Sequence, residues 1–148
     1  MLRRTLQVLS TVIALVTLLW PTQAALAQQY QTFGFRTPSG NIHCMAWTDS
    51  QSPPALRCDI REIDDELPPR PADCDLEWGR SFEVEAHGNT AMRICVGDST
   101  FDPQHPVLAY DRTWRAWQFT CASKQNGLTC RNADGHGFFL SRRMQSLF

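Results

Sequence analysis

Six cysteines, Cys44, Cys58, Cys74, Cys95, Cys121 and Cys130, all follow a segment built like an export signal. That order constrains the fold more than any other feature. A chain that leaves the cytoplasm before folding meets an oxidising compartment, where an even set of thiols matures into disulfides; in the cytosol the same residues would read as ligands or reactive thiols. The signal has three parts: Arg3 and Arg4 at the start, an apolar run over residues 6–20, and Ala25-Leu26-Ala27 as a small-x-small cleavage site. The run contains Gln7, Ser10, Thr11 and Thr17 and falls short of the about 20 apolar residues that a spanning helix needs. Residues 1–27 are therefore expected to be a cleaved secretory signal peptide, leaving a single mature domain over 28–148 with no membrane span. No cysteine stands at the cleavage point to accept a lipid.

With 6 cysteines in 148 residues, the chain lies below the ~8–10 % of scaffolds held almost wholly by disulfides. The bridges should supplement a hydrophobic core. Formal net charge is −1, and loss of Arg3 and Arg4 makes the mature domain more acidic. That balance disfavours nucleic acid and anionic membranes as partners. Lys124 is the single lysine, so nearly all basic chemistry is guanidinium, whose fork suits carboxylate or phosphate groups.

Prolines and glycines punctuate the mature region, and the stretches between them are short and rich in β-branched and aromatic residues, the pattern of an all-β domain. Strands are expected over 41–47, 55–60, 81–86, 91–96, 107–110, 113–121, 128–132 and 137–141, with one helical turn over 61–67 stopped by Pro68-Pro69. The acids of that turn, Glu62, Asp64, Asp65 and Glu66, read as a solvated face or loop. The fold class predicted is a small antiparallel, disulfide-stabilised sheet, barrel or sandwich built from hairpins.

Ile42, Leu56, Phe119 and Leu128 each precede a cysteine by two positions, and residues two apart in a strand face the same side. Cys44, Cys58, Cys121 and Cys130 should therefore point into the core. A loop over 124–127 with Gly127 left-handed sets Ser123 opposite Leu128, Ala122 opposite Thr129 and Cys121 opposite Cys130. The Ser/Pro-rich connection over 49–54 favours a second bridged hairpin, Cys44–Cys58, which leaves Cys74 for Cys95. Six cysteines allow 15 pairings, and hairpin logic favours this one among them.

No Gly-x-Ser-x-Gly elbow, His-Glu-x-x-His, phosphate-binding glycine loop or Cys-x-x-Cys is present. The 4 histidines show no i, i+4 helical spacing, and the cysteines are better used as disulfides, so neither metal nor cofactor is expected. His136, between Gly135 and Gly137, is the most suggestive local feature; acting chemically it would need a carboxylate such as Asp98 or Asp111. Both His136 and Asp98 also read as ordinary turn residues. Trp47, Trp78, Trp114 and Trp117 could stack on sugar rings or simply fill the core; Trp114 and Trp117, three apart, would face opposite sides of one strand. Arg142 and Arg143 could pair with the acidic surface. The candidate site residues are thus His136, Asp98, Trp114 and Arg142.

The motifs Phe35-Arg36-Thr37-Pro38-Ser39-Gly40-Asn41-Ile42-His43-Cys44, Arg57-Cys58-Asp59-Ile60, Cys74-Asp75-Leu76-Glu77-Trp78-Gly79 and Gly127-Leu128-Thr129-Cys130-Arg131-Asn132, with Gly135-His136-Gly137-Phe138, resemble a family of small exported bacterial proteins of unassigned function. Cys95-Val96-Gly97-Asp98 and Leu140-Ser141-Arg142 fit it too. One departure is Tyr110-Asp111, where the family pattern would have tyrosine followed by glycine. The resemblance implies export and one cysteine-rich domain, and supplies no activity. The reading from sequence is an exported, monomeric or weakly associating module of the periplasm or cell envelope that binds an envelope glycan or protein. Its rivals are a small hydrolase or lyase using His136 with Asp98, and an inhibitor of a secreted hydrolase presenting the 49–54 connection.

Overall fold

The computed structural model describes residues 30–49 and 51–148. The expected signal peptide and its cleavage site lie outside the described residues. Ten strands form two five-stranded antiparallel meanders. The first runs in chain order through β1 (Gln31–Arg36), β2 (Ile42–Thr48), β3 (Ala55–Ile60), β4 (Glu77–Glu85) and β5 (Met92–Val96). The second comprises β6 (Thr113–Ala116), β7 (Phe119–Lys124), β8 (Gly127–Arg131), β9 (Gly137–Leu140) and β10 (Gln145–Leu147), each paired with the next.

Alternation sets which side of each sheet is apolar. Ile42, Cys44 and Ala46 of β2, Leu56, Cys58 and Ile60 of β3, Phe119 and Cys121 of β7, Leu128 and Cys130 of β8, and Phe138 and Leu140 of β9 all enter one core. The two inner faces meet where the Phe82 and Phe138 rings lie 6.1 Å apart. Disulfides join Cys44 to Cys58 and Cys121 to Cys130, directly opposite residues of adjacent strands with Cα atoms 4.1 Å apart in each case. The sulfurs of Cys44, Cys58 and Cys130 lie within 4.8 Å of one another, so the two bridges meet in the middle of the sandwich. Cys74–Cys95 is different, tying the irregular segment before β4 to edge strand β5 with Cys95 exposed. Three disulfides fit an extracellular or periplasmic location. Among the described residues, no helix is long and apolar enough to cross a membrane.

Several local expectations change. Residues 61–67 form no helical turn, because their polar groups are used elsewhere: the Asp64 N–H donates to the Arg142 carbonyl, and Asn41 exchanges hydrogen bonds with the Glu62 backbone. The stretch 113–121 is two strands, broken by a tight turn in which Trp117 takes φ 46°. Trp117 is thus a turn residue and packs on Phe33, with ring centroids 5.2 Å apart. Residues 107–110 make only an isolated parallel bridge, Arg36 to Val107. The β7–β8 register matches the expected pairs and continues to Lys124 opposite Gly127, so the loop is two residues shorter; Gly127 takes a positive φ of 151°, a conformation that favours glycine.

The segment 97–108 is a strap across the outer face of the first sheet. It crosses β3, where the Thr100 N–H donates to the Asp59 carboxylate at 2.7 Å, and β2, where the Thr100 hydroxyl donates to the His43 carbonyl at 2.8 Å. It then passes β1, where the His105 ring lies so close to Gly34 that any Cβ there would overlap it. Every residue of β3 is buried as a result, with core on one side and strap on the other.

Candidate functional site

Where the ends of the two sheets part, four connections enclose a cleft of about 920 Å³. The β1–β2 turn supplies one wall. Gly40 at φ 68° lets it close, and the Thr37 hydroxyl pins it by donating to the Ile42 carbonyl while accepting the Ile42 N–H. The segment after β3 brings Arg61, Glu62 and Asp64; the β7–β8 turn brings Lys124, Gln125 and Asn126; the β9–β10 connection brings Ser141, Arg142, Arg143 and Met144. Tyr110, just beyond the strap, and Phe139 add aromatic surface.

Arg142 clasps the two halves. Its guanidinium lies 3.1 Å from Glu62 and 2.8 Å from Asp64, while its carbonyl accepts the Asp64 N–H. Those acids are therefore ion-pair partners as well as solvated groups. Lys124 pairs with Asp111 at 2.8 Å. Arg61 and Arg143 line the cleft without an ion-pair partner among the described residues.

Of the four candidate site residues read from sequence, Arg142 belongs to this cleft and His136, Asp98 and Trp114 lie elsewhere. Asp98 accepts a hydrogen bond from Arg57 at 2.7 Å at the start of the strap, and the guanidinium holds its carboxyl below the usual carboxylate range. His136 sits in the β8–β9 turn, its N–H donating to the Asn132 side chain. Among the described residues, no hydrogen bond or ion pair joins His136 to Asp98. Trp114 packs on Phe35 with centroids 4.9 Å apart, against the core. In the 49–54 connection, Asp49 accepts the N–H groups of Gln51 and Ser52. Sequence reasoning missed Arg61 and Tyr110 because they come from separate connections and share no motif. The only available signal was that each follows a strand or strap end beside turn residues.

The chain belongs to a family of unknown function (DUF6636), whose model matches residues 12–148. No curated protein and no solved structure matches it.

Proposed function

We propose that this member of a family of unknown function is an exported binding module of the periplasm or cell envelope, and that the cleft between its sheet ends holds an envelope glycan. The lining carries the reading. The Gln125 and Asn126 amides offer both donors and acceptors, Asn41 and Ser141 are held in place by their bonds to Glu62 and Met144, and Tyr110 and Phe139 offer ring surface to the apolar side of a sugar. Concave sites that combine aromatic surface with a few convergent polar groups are the usual form of small-ligand sites. The disulfides suit the compartment.

The test is co-sedimentation of the oxidised protein, purified from the periplasm of an expressing bacterium, with isolated cell envelope before and after protease treatment of that envelope. Binding that survives protease and is weakened by Tyr110→Ala is expected. Binding abolished by protease would replace the glycan with a protein partner, and no binding in either case would refute the envelope reading.

A further inference from the structure

A smaller recess of about 360 Å³ adjoins the broad cleft, sharing Gly40 and Arg61 with it and lined further by Arg36, His43, Phe101 and Pro103. Its charge is one-sided, because two guanidinium groups and an imidazole line it and no carboxylate does. Other arginines of this fold show what a satisfied guanidinium looks like here. Arg57 binds Asp59 and Asp98, and Arg142 binds Glu62 and Asp64. Arg36 instead spends its Nε–H on the His105 carbonyl at 3.2 Å, and Arg61 lies over the Phe101 ring at 4.6 Å. Neither has an ion-pair partner among the described residues. Phe101 fixes the plane of Arg61 and leaves the edge donors of its fork free.

His43 completes the wall and is itself buried, at 4 % exposure. Its Nδ1 accepts the Asp102 N–H at 3.2 Å, so the neutral ring carries its proton on Nε2. Burial, and then the positive charge of His105, Arg61 and Arg36, hold its pKa below the ordinary value against a hydrogen bond with the Gly40 backbone that acts the other way.

We propose that this recess is an anion subsite, in which Arg36 and Arg61 together grip one carboxylate or phosphate group of the ligand that occupies the broad cleft. Paired guanidinium forks match the planar or tetrahedral oxygens of either group. The inference deepens the cleft reading and rests on it for the remainder of the ligand; the grip itself depends only on the recess.

The test is a titration of the oxidised, periplasm-purified protein followed by amide and arginine side-chain resonances, with glucuronic acid, glucose 1-phosphate and neutral glucose as probes. At least one anionic sugar should give saturable shifts at Gly40, Arg61 and Phe101, and glucose should not. The stronger of the two anions tells whether the natural group is a carboxylate or a phosphate ester. Arg36→Gln and Arg61→Gln should each weaken binding about tenfold or more, whereas Arg115→Gln, an exposed position on β6, should leave it unchanged. Arg61→Lys keeps the charge above Phe101 and loses the fork, so an intermediate affinity with an unaltered spectrum separates recognition from folding. Equal shifts with glucose, no anion-specific shift, or undiminished binding by the glutamine variants would overturn the subsite. Envelope binding that is lost in Tyr110→Ala yet untouched by Arg36→Gln would overturn the subsite and leave the cleft reading standing. Anion binding without envelope binding would do the reverse.

Discussion

Arg57→Met should be the most damaging single polar substitution on the outer face of the first sheet. The Arg57 side chain is 10 % exposed and that of Asp59 3 %, and the two are joined by parallel hydrogen bonds of 2.8 and 2.9 Å. Burial works against the guanidinium, but its bonds to Asp59 and Asp98 outweigh that and raise its pKa above the ordinary value. Methionine fills the aliphatic part of the space and leaves Asp59 with the Thr100 N–H as its remaining hydrogen-bond partner. Glu83, opposite Arg57 on β4, is already pushed up by burial and pulled back by Arg57, so it would also lose a compensating charge. Removing one member of a buried pair costs about 3–5 kcal/mol, a large part of the about 5–15 kcal/mol that holds a domain folded.

The same geometry gives an internal control. The Asp98 side chain is 84 % exposed, so its bond to Arg57 is screened by water and worth about 0–1 kcal/mol. Asp98→Ala also keeps the 2.6 Å bond from Arg57 to the Asp98 carbonyl. Urea unfolding of the oxidised protein, followed by tryptophan fluorescence and far-UV circular dichroism, should therefore place Asp98→Ala close to the parent and Arg57→Met far below it. Adding Asp59→Asn to Arg57→Met should recover part of the loss, because the amide carries no charge to strand and its oxygen can still accept from Thr100. A cost below about 1 kcal/mol for Arg57→Met, or equal costs for Arg57→Met and Asp98→Ala, would mean that burial does not strengthen the Arg57–Asp59 pair.

His43 faces His105 and Asp102 from the strap, Arg36 from β1, Asp59 across β3, and Arg61; with its folded pKa below the ordinary 6.5, it contributes stability that is full above pH 6.5 and declines as pH falls through the folded value, so thermal melts from pH 7.5 to pH 5 should flatten in His43→Gln. An unchanged slope would remove His43 from the account. Mild reductant followed by alkylation and mass mapping should label Cys74 and Cys95 first, since Cys95 is exposed while the other two bridges are wholly buried, and early labelling of Cys121 or Cys130 would contradict the packing. Asp111 holds φ 63°, and Asp111→Gly should relieve about 1 kcal/mol of left-handed strain against the loss of an exposed pair with Lys124 worth about 0–1 kcal/mol. Its melting temperature should stay level or rise, and a fall of several degrees would show that the pair outweighs the strain.

The sequence carried the interior of this fold more clearly than its margins. Period-two burial around the cysteines and the Asn126-Gly127 turn were enough to align β7 with β8, because both signals are local. Strand β1 was hidden by Gly34, which weakens a strand signal and is required because the His105 ring lies on it, a demand visible only after folding. Three-residue β10 exists through its pairing with β9 and has no pattern of its own. Arg57 and Asp59 alternate with Leu56, Cys58 and Ile60, which correctly marks an outward side; nothing in the strand says that the outward side is covered. The Tyr110-Asp111 departure from the family pattern is legible in hindsight, since Asp111 takes the positive φ that glycine adopts without strain. Arg142 was legible as a charge near acids, whereas the cleft around it draws on four connections and could not be assembled from spacing.

Where the covalent bridges run bears on how the cleft can behave. Cys44–Cys58 lies within the first sheet, Cys121–Cys130 within the second, and Cys74–Cys95 at the first sheet's margin. No disulfide joins one sheet to the other among the described residues, so the sandwich is closed by apolar packing, by the Arg142 clasp, and at the opposite end by the Asn132 side chain, which donates to the Glu85 and Gly88 carbonyls while the Ala133 N–H donates to the Ala86 carbonyl. At the cleft, that closure consists largely of ion pairs between half-exposed groups, Arg142 at 56 % with Glu62 at 60 % and Asp64 at 41 %, each worth about 0–1 kcal/mol. Adjusting the cleft therefore costs little while each hairpin stays covalently fixed. A ligand anion that competed with Glu62 or Asp64 for Arg142 would exchange one weak pair for another, so the free energy of binding must come from groups that lack partners beforehand. Arg36 and Arg61 are such groups, which is why the small recess, rather than the clasp, is where affinity for an anionic ligand should reside.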